Sequence, residues 1–323
     1  MLNQIIIPTA YHSLIQTNVP LADKNWFGTG GNARYYAAPQ TAEEFSVAIK
    51  FAHEYNLPIF ILGHGANILI SDQGFDGLVV HPQLNACSHA NSGETAYVTA
   101  GAGVSMHNLI EYCLNNQLIG LEEFAGIPGT VGGSVYINLH YFEFLLSQFL
   151  ISARVVHRHS GAIENVTREW FNFGYNQSKL QQEQYYLIDA TFSVKAVALP
   201  ETYYARGRRD EIIRHRLKRY PNKGTCGSFF RNFHEEEVSL LSNNKKMIFV
   251  AYYLDKIGVK GALSVGDAIV SYQHANMIVN KGKATSQDII DLARLMQEKV
   301  LKEFGIIPQP ECRLVGFKKY PLL

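Results

Sequence analysis

The sequence lacks an excess of charge of either sign. Its 323 residues carry 29 Lys and Arg against 28 Asp and Glu, which gives a net charge of +1. A chain this close to neutrality has no global field to attract it to a nucleic acid or an anionic membrane, so we expect neither as a partner. Any anionic ligand must be bound by local groups.

Closely spaced cysteines and long apolar runs are also absent. Cys87, Cys113, Cys226 and Cys312 lie far apart without a CxxC pair, which fits neither a zinc site nor a disulfide framework and suits a reducing cytoplasm. Polar residues interrupt the most apolar stretch, FEFLLSQFLISARVV, well short of the roughly 20 residues that span a membrane. The start, MLNQIIIPTAYHSL, has no basic region before its short apolar run. We therefore expect a cytoplasmic protein without a signal peptide, membrane anchor or bound metal.

What is present is typical of a folded α+β protein. Apolar residues make up 47% of the chain and charged residues 18%, and the length favours two or three packed units. Helical spacing of apolar residues predicts helices over 41–55, in MHNLIEYCLNNQL, and over 201–220, 243–256 and 286–304. Short apolar runs predict strands in LPIFILGHGANILI, GLVVHP, TAYVTAGAGVS and SARVVHRHSGAIENVT.

Two glycine-rich loops, GHGAN at 63–67 and AGIPGTVGGS at 125–134, indicate an anion site. Glycines leave backbone N–H groups unobstructed, as a diphosphate held by amides requires. No lysine follows either loop and neither is a GxGxxG that opens a helix, so the P-loop and the Rossmann motif are excluded. Asn138 follows the second loop as a further polar partner. A dinucleotide site of another type remains; each loop alone is more often a simple turn, but the two together favour the site.

Seven segments carry a family resemblance: GHGANILISDQGFDGLVV, AGAGVS, GLEEFAGIPGTVGGSVYIN, GTCGSFFRN, YQHANMIVN, ATSQDIIDL and FGIIPQPECRLVG. They resemble the successive motifs of the UDP-N-acetylenolpyruvoylglucosamine reductase (MurB) family, in the family's order, within residues 25–316. The resemblance implies an α+β fold. It consists of an FAD-binding unit of the vanillyl-alcohol-oxidase (PCMH) type over 1–200, with two subdomains split near 80, and a C-terminal α+β substrate domain over 201–316. Residues 317–323 form a tail, and the compact third unit implies the short subtype without a lid.

The resemblance also implies a reaction. In the family a hydride passes from NADPH to FAD and then to the enolpyruvyl double bond of UDP-N-acetylglucosamine enolpyruvate, giving UDP-N-acetylmuramate for peptidoglycan. Hydride addition to one alkene carbon leaves negative charge on the other, so the site needs a proton donor and a group that stabilises the enolate. The family's proton donor falls on Ser228, and its essential glutamate falls on Glu311. A monomer is expected.

The family's ligand-binding positions can be transferred residue by residue. Those that contact FAD fall on Gly63, His64, Gly65, Ala66, Asn67, Ser71, Asp72, Gly126, Ile127, Pro128, Gly129, Thr130, Gly132, Gly133, Asn138 and Arg313. Those that contact the UDP-sugar fall on Tyr175, Asn232, Lys260 and His274.

One catalytic position departs from the family pattern, because the family's arginine facing the substrate carboxylate is Asn176 here. Losing a charge-assisted hydrogen bond of about 1.5–3 kcal/mol predicts at least a roughly 10–100-fold slower reaction. In addition, LHYFEF replaces the small residues that follow Asn138 in the family. Three functions remain open: a working reductase in which Lys179 or an arginine of 206–219 supplies the cation, a divergent paralogue that reduces another unsaturated acceptor, or a flavin-binding protein without turnover.

Overall fold

The computed structural model of the protein describes residues 7–323, so the beginning of the apolar run in MLNQIIIPTAYHSL lies outside the described residues. The strands are β1 (Ile15–Pro20), β2 (Asn32–Ala37), β3 (Ile59–Ile61), β4 (Ile68–Ile70), β5 (Phe75–Val80), β6 (Cys87–Ser92), β7 (Thr95–Gly101), β8 (Leu118–Ile119), β9 (His140–Tyr141), β10 (Phe144–Leu145), β11 (Leu150–His157), β12 (Ile163–Thr167), β13 (Tyr185–Ala196), β14 (Leu241–Ser242), β15 (Lys245–Lys246), β16 (Ser264–Val265), β17 (Ala268–Val270), β18 (Ile278–Asn280) and β19 (Arg313–Val315). The α-helices are α1 (Ala42–Glu54), α2 (Met106–Asn115), α3 (Val131–Tyr136), α4 (Leu199–Arg219), α5 (Val250–Lys256) and α6 (Ser286–Phe304).

The chain divides into two compact units, each built from several segments. Within the described residues, the first unit contains the segment up to Val19 together with Arg34–His64 and Gly77–His215. The second unit contains Pro20–Ala33, Gly65–Asp76 and Arg216–Leu323. The boundaries near 80, 200 and 316 that the resemblance implies remain predictions.

The first unit is organised around an antiparallel sheet with strand order β12-β11-β13-β7-β6, to which β8 adds on β13. Alternate residues of β13, such as Ala190 and Phe192, are buried in a core that also takes residues of α2 and α3. A second sheet has the order β1-β2-β5-β3 and shares a core with α1, where Phe45 and Ile49 are fully buried. Thr41 caps α1 by accepting a hydrogen bond from Glu44 N at 3.1 Å, which confirms the predicted capped helix.

The second unit combines helices with small sheets. The antiparallel strands β16-β17-β18 share a core with α5 and α6, and β4 pairs in parallel with β19. Helix α6 begins and ends at the predicted residues and is capped by Thr285, whose hydroxyl accepts from Asp288 N at 3.0 Å. Among residues 7–323 no helix combines the length and the apolar character needed to cross a bilayer.

The helix predicted over 243–256 is wrong in its first half. Helix α5 begins only at Val250, and the preceding residues form the antiparallel hairpin β14–β15. Asn243 and Asn244 join its two strands with φ of +50° and +60°. Two consecutive residues with positive φ match the turn that best suits a two-residue hairpin, and asparagine tolerates this conformation better than most residues.

Candidate active site

In the first unit, Gly63 lies directly against the second glycine loop. A Cβ placed on Gly63 would approach the Thr130 hydroxyl to 2.7 Å, so only glycine fits there without a shift. Thr130 is itself fixed, because it is buried and its hydroxyl caps α3 by accepting from Gly133 N at 3.2 Å. The start of the first loop and the middle of the second therefore adjoin within this unit.

The backbone N–H groups of these loops fall into two classes. Those of Gly132 and Gly133 are occupied, because they donate to Ala102 O at 3.0 Å and to the Thr130 hydroxyl. Four others donate to no acceptor among residues 7–323: Gly63, His64, Gly129 and Thr130. Unused N–H groups beside lysine-free glycine loops fit the diphosphate of a dinucleotide. The neighbouring His64 is not a cation at neutral pH, because partial burial lowers its pKa below the ordinary value.

Asn138, buried and at a φ of +48°, holds the loop that carries two predicted site residues. Its Nδ2 donates to Gly174 O at 3.0 Å, and its Oδ1 accepts from Ser147 N at 3.1 Å. Gly174 and Gln177 close a tight turn through two backbone hydrogen bonds of 3.1 and 3.3 Å. The structure thus brings Asn138 together with the turn at 175–176. The contact of Asn138 with FAD stays a prediction.

Asn176 occupies a backbone conformation that explains the residue type. Its φ of +53° lies in the left-handed region, which asparagine tolerates better than arginine does. The side-chain Oδ1 is buried and has no hydrogen-bond partner among the described residues. Beside it, Tyr175 is 53% exposed, and its ring lies 4.8 Å from that of His140. The turn therefore presents an aromatic ring and an unsatisfied amide oxygen.

Four of the cations suggested as substitutes for the missing arginine are engaged elsewhere in the first unit. Lys179 Nζ lies 4.4 Å from the centre of the Trp170 ring. On α4, Arg206 and Arg209 both pair with Glu111, and Arg208 pairs with Glu123 at 2.9 Å. Recruiting one of these side chains to a substrate would require breaking its present contact first.

In the second unit, Ser228 and Glu311 lie on neighbouring extended segments. Phe229 O accepts from Glu311 N at 2.8 Å and from Cys312 N at 3.2 Å, and Phe230 forms an antiparallel bridge with Pro310. These bonds fix the residue after Ser228 against Glu311. Neither the Ser228 hydroxyl nor the Glu311 carboxyl has a hydrogen-bond partner among residues 7–323, so both are available to a ligand.

Burial makes Glu311 an unusually weak acid. Its half-buried carboxyl has lost water without gaining a cation, and desolvation raises its pKa to about 7. The carboxyl is therefore about half protonated at pH 7. A neutral carboxyl can donate a hydrogen bond, which an ionised one cannot do.

The three predicted substrate residues of the second unit each have a defined neighbour. Asn232 Oδ1 accepts from the first N–H of α5 at 3.3 Å, and Lys260 Nζ lies 3.9 Å from Asp255. The His274 ring lies tilted against that of Tyr220 with ring centres 5.5 Å apart, and burial lowers the pKa of His274. Their contacts with substrate remain predictions.

The FAD positions predicted in the second unit surround β4. Gly65, with a φ of +63°, accepts from Trp26 N at 3.0 Å, Ala66 follows it, and Asn67 O accepts from Arg313 N at 3.1 Å. Beyond β4, the carboxylate of Asp72 accepts from Ser286 N at 3.0 and 2.9 Å at the start of α6, and the Ser71 hydroxyl accepts from Gln73 N. These bonds give Asp72 and Ser71 structural roles, and their predicted FAD contacts stay untested.

One residue of the family motif YQHANMIVN was not predicted from the sequence as a site residue. Asn276, in YQHANMIVN, is only 3% exposed. A polar residue inside an otherwise apolar run is the signal that could have identified it, since a buried amide must find hydrogen-bond partners.

Two family matches together cover most of the chain. Residues 33–167 match the FAD binding domain family, and residues 219–315 match the family described as UDP-N-acetylenolpyruvoylglucosamine reductase, C-terminal domain. The chain is 34% identical over 293 residues to the UDP-N-acetylenolpyruvoylglucosamine reductase of Trichormus variabilis. This alignment covers 90% of this chain and 83% of that protein. It is 29% identical over 309 residues to the enzyme of that name from Listeria monocytogenes, with 95% and 97% covered.

A solved structure agrees with these sequence matches. The crystal structure of UDP-N-acetylenolpyruvylglucosamine reductase (MurB) from Thermus caldophilus superimposes with a TM-score of 0.72 at 27% identity, covering 92% of this chain and 97% of that chain. With the two family matches, this confirms the predicted α+β fold of an FAD-binding unit followed by a C-terminal substrate domain.

Proposed function

Because this chain belongs to the UDP-N-acetylenolpyruvoylglucosamine reductase family, as its motifs predicted, we propose that it reduces UDP-N-acetylglucosamine enolpyruvate to UDP-N-acetylmuramate. NADPH is the reductant, FAD is the cofactor, and the product is a precursor of peptidoglycan. One observation supports the proposal above the others: Ser228 and Glu311 adjoin, and both side chains lack a partner among the described residues.

The first unit contains groups that fit FAD. The unused N–H groups of Gly63, His64, Gly129 and Thr130 would bind its diphosphate, and the lack of a Cβ at Gly63 keeps the loop close to Thr130. When bound, FAD supplies hydride transfer from NADPH to the alkene. The remaining chemistry is left to the protein's own side chains.

Ser228 is the proposed proton donor. A hydroxyl is a weak acid in water, but the carbon next to the site of hydride addition becomes strongly basic and accepts its proton. Because the hydroxyl is not engaged by another residue within 7–323, it can turn toward that carbon. Proton transfer from a positioned side chain contributes roughly 10²–10⁴-fold to a rate.

Glu311 is proposed to stabilise the enolate. With a pKa raised to about 7, its neutral form can donate a hydrogen bond to the substrate carboxylate as negative charge spreads onto it. The ionised form would repel the same charge. The account therefore places the active state of Glu311 on the acidic side of pH 7.

Asn176 favours a second candidate, a reductase of the same kind acting on another unsaturated acceptor. The family's arginine is absent at this position, and four candidate cations, Lys179, Arg206, Arg208 and Arg209, are held by Trp170, Glu111 and Glu123. An acceptor without a carboxylate facing residue 176 would not need the missing charge. Both candidates use Ser228 and the flavin.

A cytoplasmic location is part of the proposal. All four cysteines are free thiols, two of them in the core of the second unit. Buried thiols kept reduced suit a compartment with a reducing glutathione pool.

The experiment that tests the function is product analysis in deuterated water. The protein is incubated with NADPH and UDP-N-acetylglucosamine enolpyruvate, and the nucleotide sugar is examined by mass spectrometry. The proposal expects UDP-N-acetylmuramate carrying at least one solvent deuterium, because the proton that Ser228 donates exchanges with solvent. Unchanged substrate would reject the proposed acceptor and leave the second candidate, which other enolpyruvyl or unsaturated acids would then test.

A further inference from the structure

Asn276, between β17 and β18, forms a set of hydrogen bonds with the segment that follows Ser228. Its side-chain Oδ1 accepts from Phe230 N at 3.0 Å, and its Nδ2 donates to Phe230 O at 2.7 Å. Its backbone O accepts from Phe229 N at 2.8 Å. The amide side chain thus pairs with both backbone groups of one residue, as a neighbouring strand would.

The opposite edge of the same segment is paired as well. Phe229 O accepts from Glu311 N and Cys312 N, and Arg231 N donates to Gln309 O at 2.9 Å. The backbone of Phe229 and Phe230 is therefore held between Asn276 on one side and residues 309–312 on the other. Ser228 precedes this clamped dipeptide directly, so the clamp limits where its backbone, and with it the hydroxyl, can lie.

Asn276 also touches a third predicted site residue. Its backbone N donates to Nδ1 of His274 at 3.3 Å. With Nδ1 acting as the acceptor, the neutral imidazole carries its proton on Nε2. One buried asparagine is thus connected to His274 directly, and to Ser228 and Glu311 through Phe229 and Phe230.

We propose that Asn276 is the positioning residue of this site, fixing the Ser228 hydroxyl relative to Glu311 by holding the Phe229–Phe230 backbone. The inference rests on the proposed function and adds to it a residue whose side-chain amide is engaged by the backbone of Phe230. Removing the amide leaves the buried N–H and C=O of Phe230 without partners and frees the segment to shift. A displacement of about 1 Å at a reacting group can cost 10²-fold in rate.

The test compares two variants with a matched control. Asn276→Ala removes both side-chain bonds, and Asn276→Asp keeps an acceptor for Phe230 N while losing the donor to Phe230 O. The control is Tyr253→Phe, which removes a partly buried hydrogen bond to Met247 O at 2.7 Å in the same unit and no hydrogen bond to Phe229 or Phe230. Reduction of the bound flavin by NADPH and its reoxidation by the UDP-sugar are measured separately without oxygen.

The positioning role predicts a selective defect. Flavin reduction should match the wild type in all three variants, whereas reoxidation should slow at least about 10-fold in Asn276→Ala, less in Asn276→Asp, and not in Tyr253→Phe. The apparent pKa of the alkaline limb of reoxidation should also fall from about 7 in Asn276→Ala, because a loosened segment admits water to Glu311. A purely structural role would instead lower flavin content and both steps together, as in a generally destabilised protein, and would overturn the inference.

A readout without turnover separates this inference from the proposed function. Hydrogen exchange at the amides of Phe229, Phe230 and Glu311 should accelerate in Asn276→Ala, and exchange in α6 should not change. If the wild type does not reduce the UDP-sugar, the proposed function fails, and the exchange result alone decides on Asn276. Unchanged protection of these three amides would overturn the positioning role whether or not the wild type turns over.

Discussion

Replacing Glu311 by glutamine should change how the stability of the protein depends on pH. The side chain keeps its size but can no longer ionise. In the wild type the carboxyl has a pKa of about 7 in the folded state, against 4.5 for an ordinary glutamate, because burial disfavours its charged form. The difference between these two values fixes both the direction and the size of the effect.

The direction in which stability changes with pH follows from whether the folded or the unfolded state holds the proton of Glu311. Below pH 4.5 the carboxyl is neutral in the folded and unfolded states, so it adds no pH dependence. Between pH 4.5 and about 7 the unfolded chain has released the proton while the folded protein retains it, so stability falls by about 1.4 kcal/mol per pH unit. Above pH 7 the loss levels off at roughly 3 kcal/mol.

The Glu311→Gln variant should not lose this stability as the pH rises, because glutamine does not ionise. Urea unfolding at pH 4.5 and pH 8, with equal flavin present, should show the free-energy difference between variant and wild type moving by roughly 3 kcal/mol in favour of the variant. Glu298→Gln is the control, because it makes the same substitution at an exposed residue of α6 in the same unit. The reasoning is refuted if Glu311→Gln runs parallel to the wild type across this range, since the carboxyl would then be as solvated as an ordinary one.

Three further predictions concern single residues. Ser228→Ala should leave flavin reduction by NADPH intact and slow reoxidation by the UDP-sugar about 10²–10⁴-fold, and an unchanged reoxidation rate in stopped-flow measurements would remove Ser228 from the mechanism. Asn176→Arg, which recreates the family's charge, should lower the free energy of unfolding by about 1 kcal/mol because arginine tolerates the positive φ poorly, whereas Asn176→Gly should not lower it. Equal urea midpoints for these two variants would contradict a left-handed backbone at residue 176. Asp72→Ala should destabilise the flavin-free protein by roughly 1–2 kcal/mol, because Ser286 N at the start of α6 loses its carboxylate acceptor. A urea unfolding midpoint equal to that of the wild type would exclude this role.

Local signals in the sequence predicted several elements well. Thr41 and Thr285 each precede a helical pattern with an acidic residue three positions later, and both cap the helices that follow. The glycine-rich loops and the serine motif lead to the family, which the comparisons confirm. These features depend on residues close together in the chain, where hydrogen-bonding rules act directly.

Other features depend on contacts that no local pattern encodes. Asp72 follows β4 in the chain, yet its carboxylate caps a helix that begins at Ser286. Asn276 pairs with Phe230 across 46 positions, and Glu311 meets Phe229 through a backbone bond from a distant segment. The hairpin at Asn243–Asn244 is different, because its two asparagines carried a turn signal that the helical spacing of neighbouring apolar residues obscured. The sequence could therefore indicate Ser228 and Glu311 as candidates, but the hydrogen bonds of Asn276 to the segment that follows Ser228 required the structure.

The proposed reaction passes electrons from NADPH through a bound flavin to an enolpyruvyl sugar nucleotide, with Ser228 supplying the proton. The most direct measurement follows the visible absorption of the flavin-loaded protein without oxygen, first after NADPH and then after UDP-N-acetylglucosamine enolpyruvate. The account predicts bleaching by NADPH and full recovery of the band once the sugar nucleotide is added. A protein that takes up no FAD, or that stays bleached in the presence of the sugar nucleotide, would contradict it.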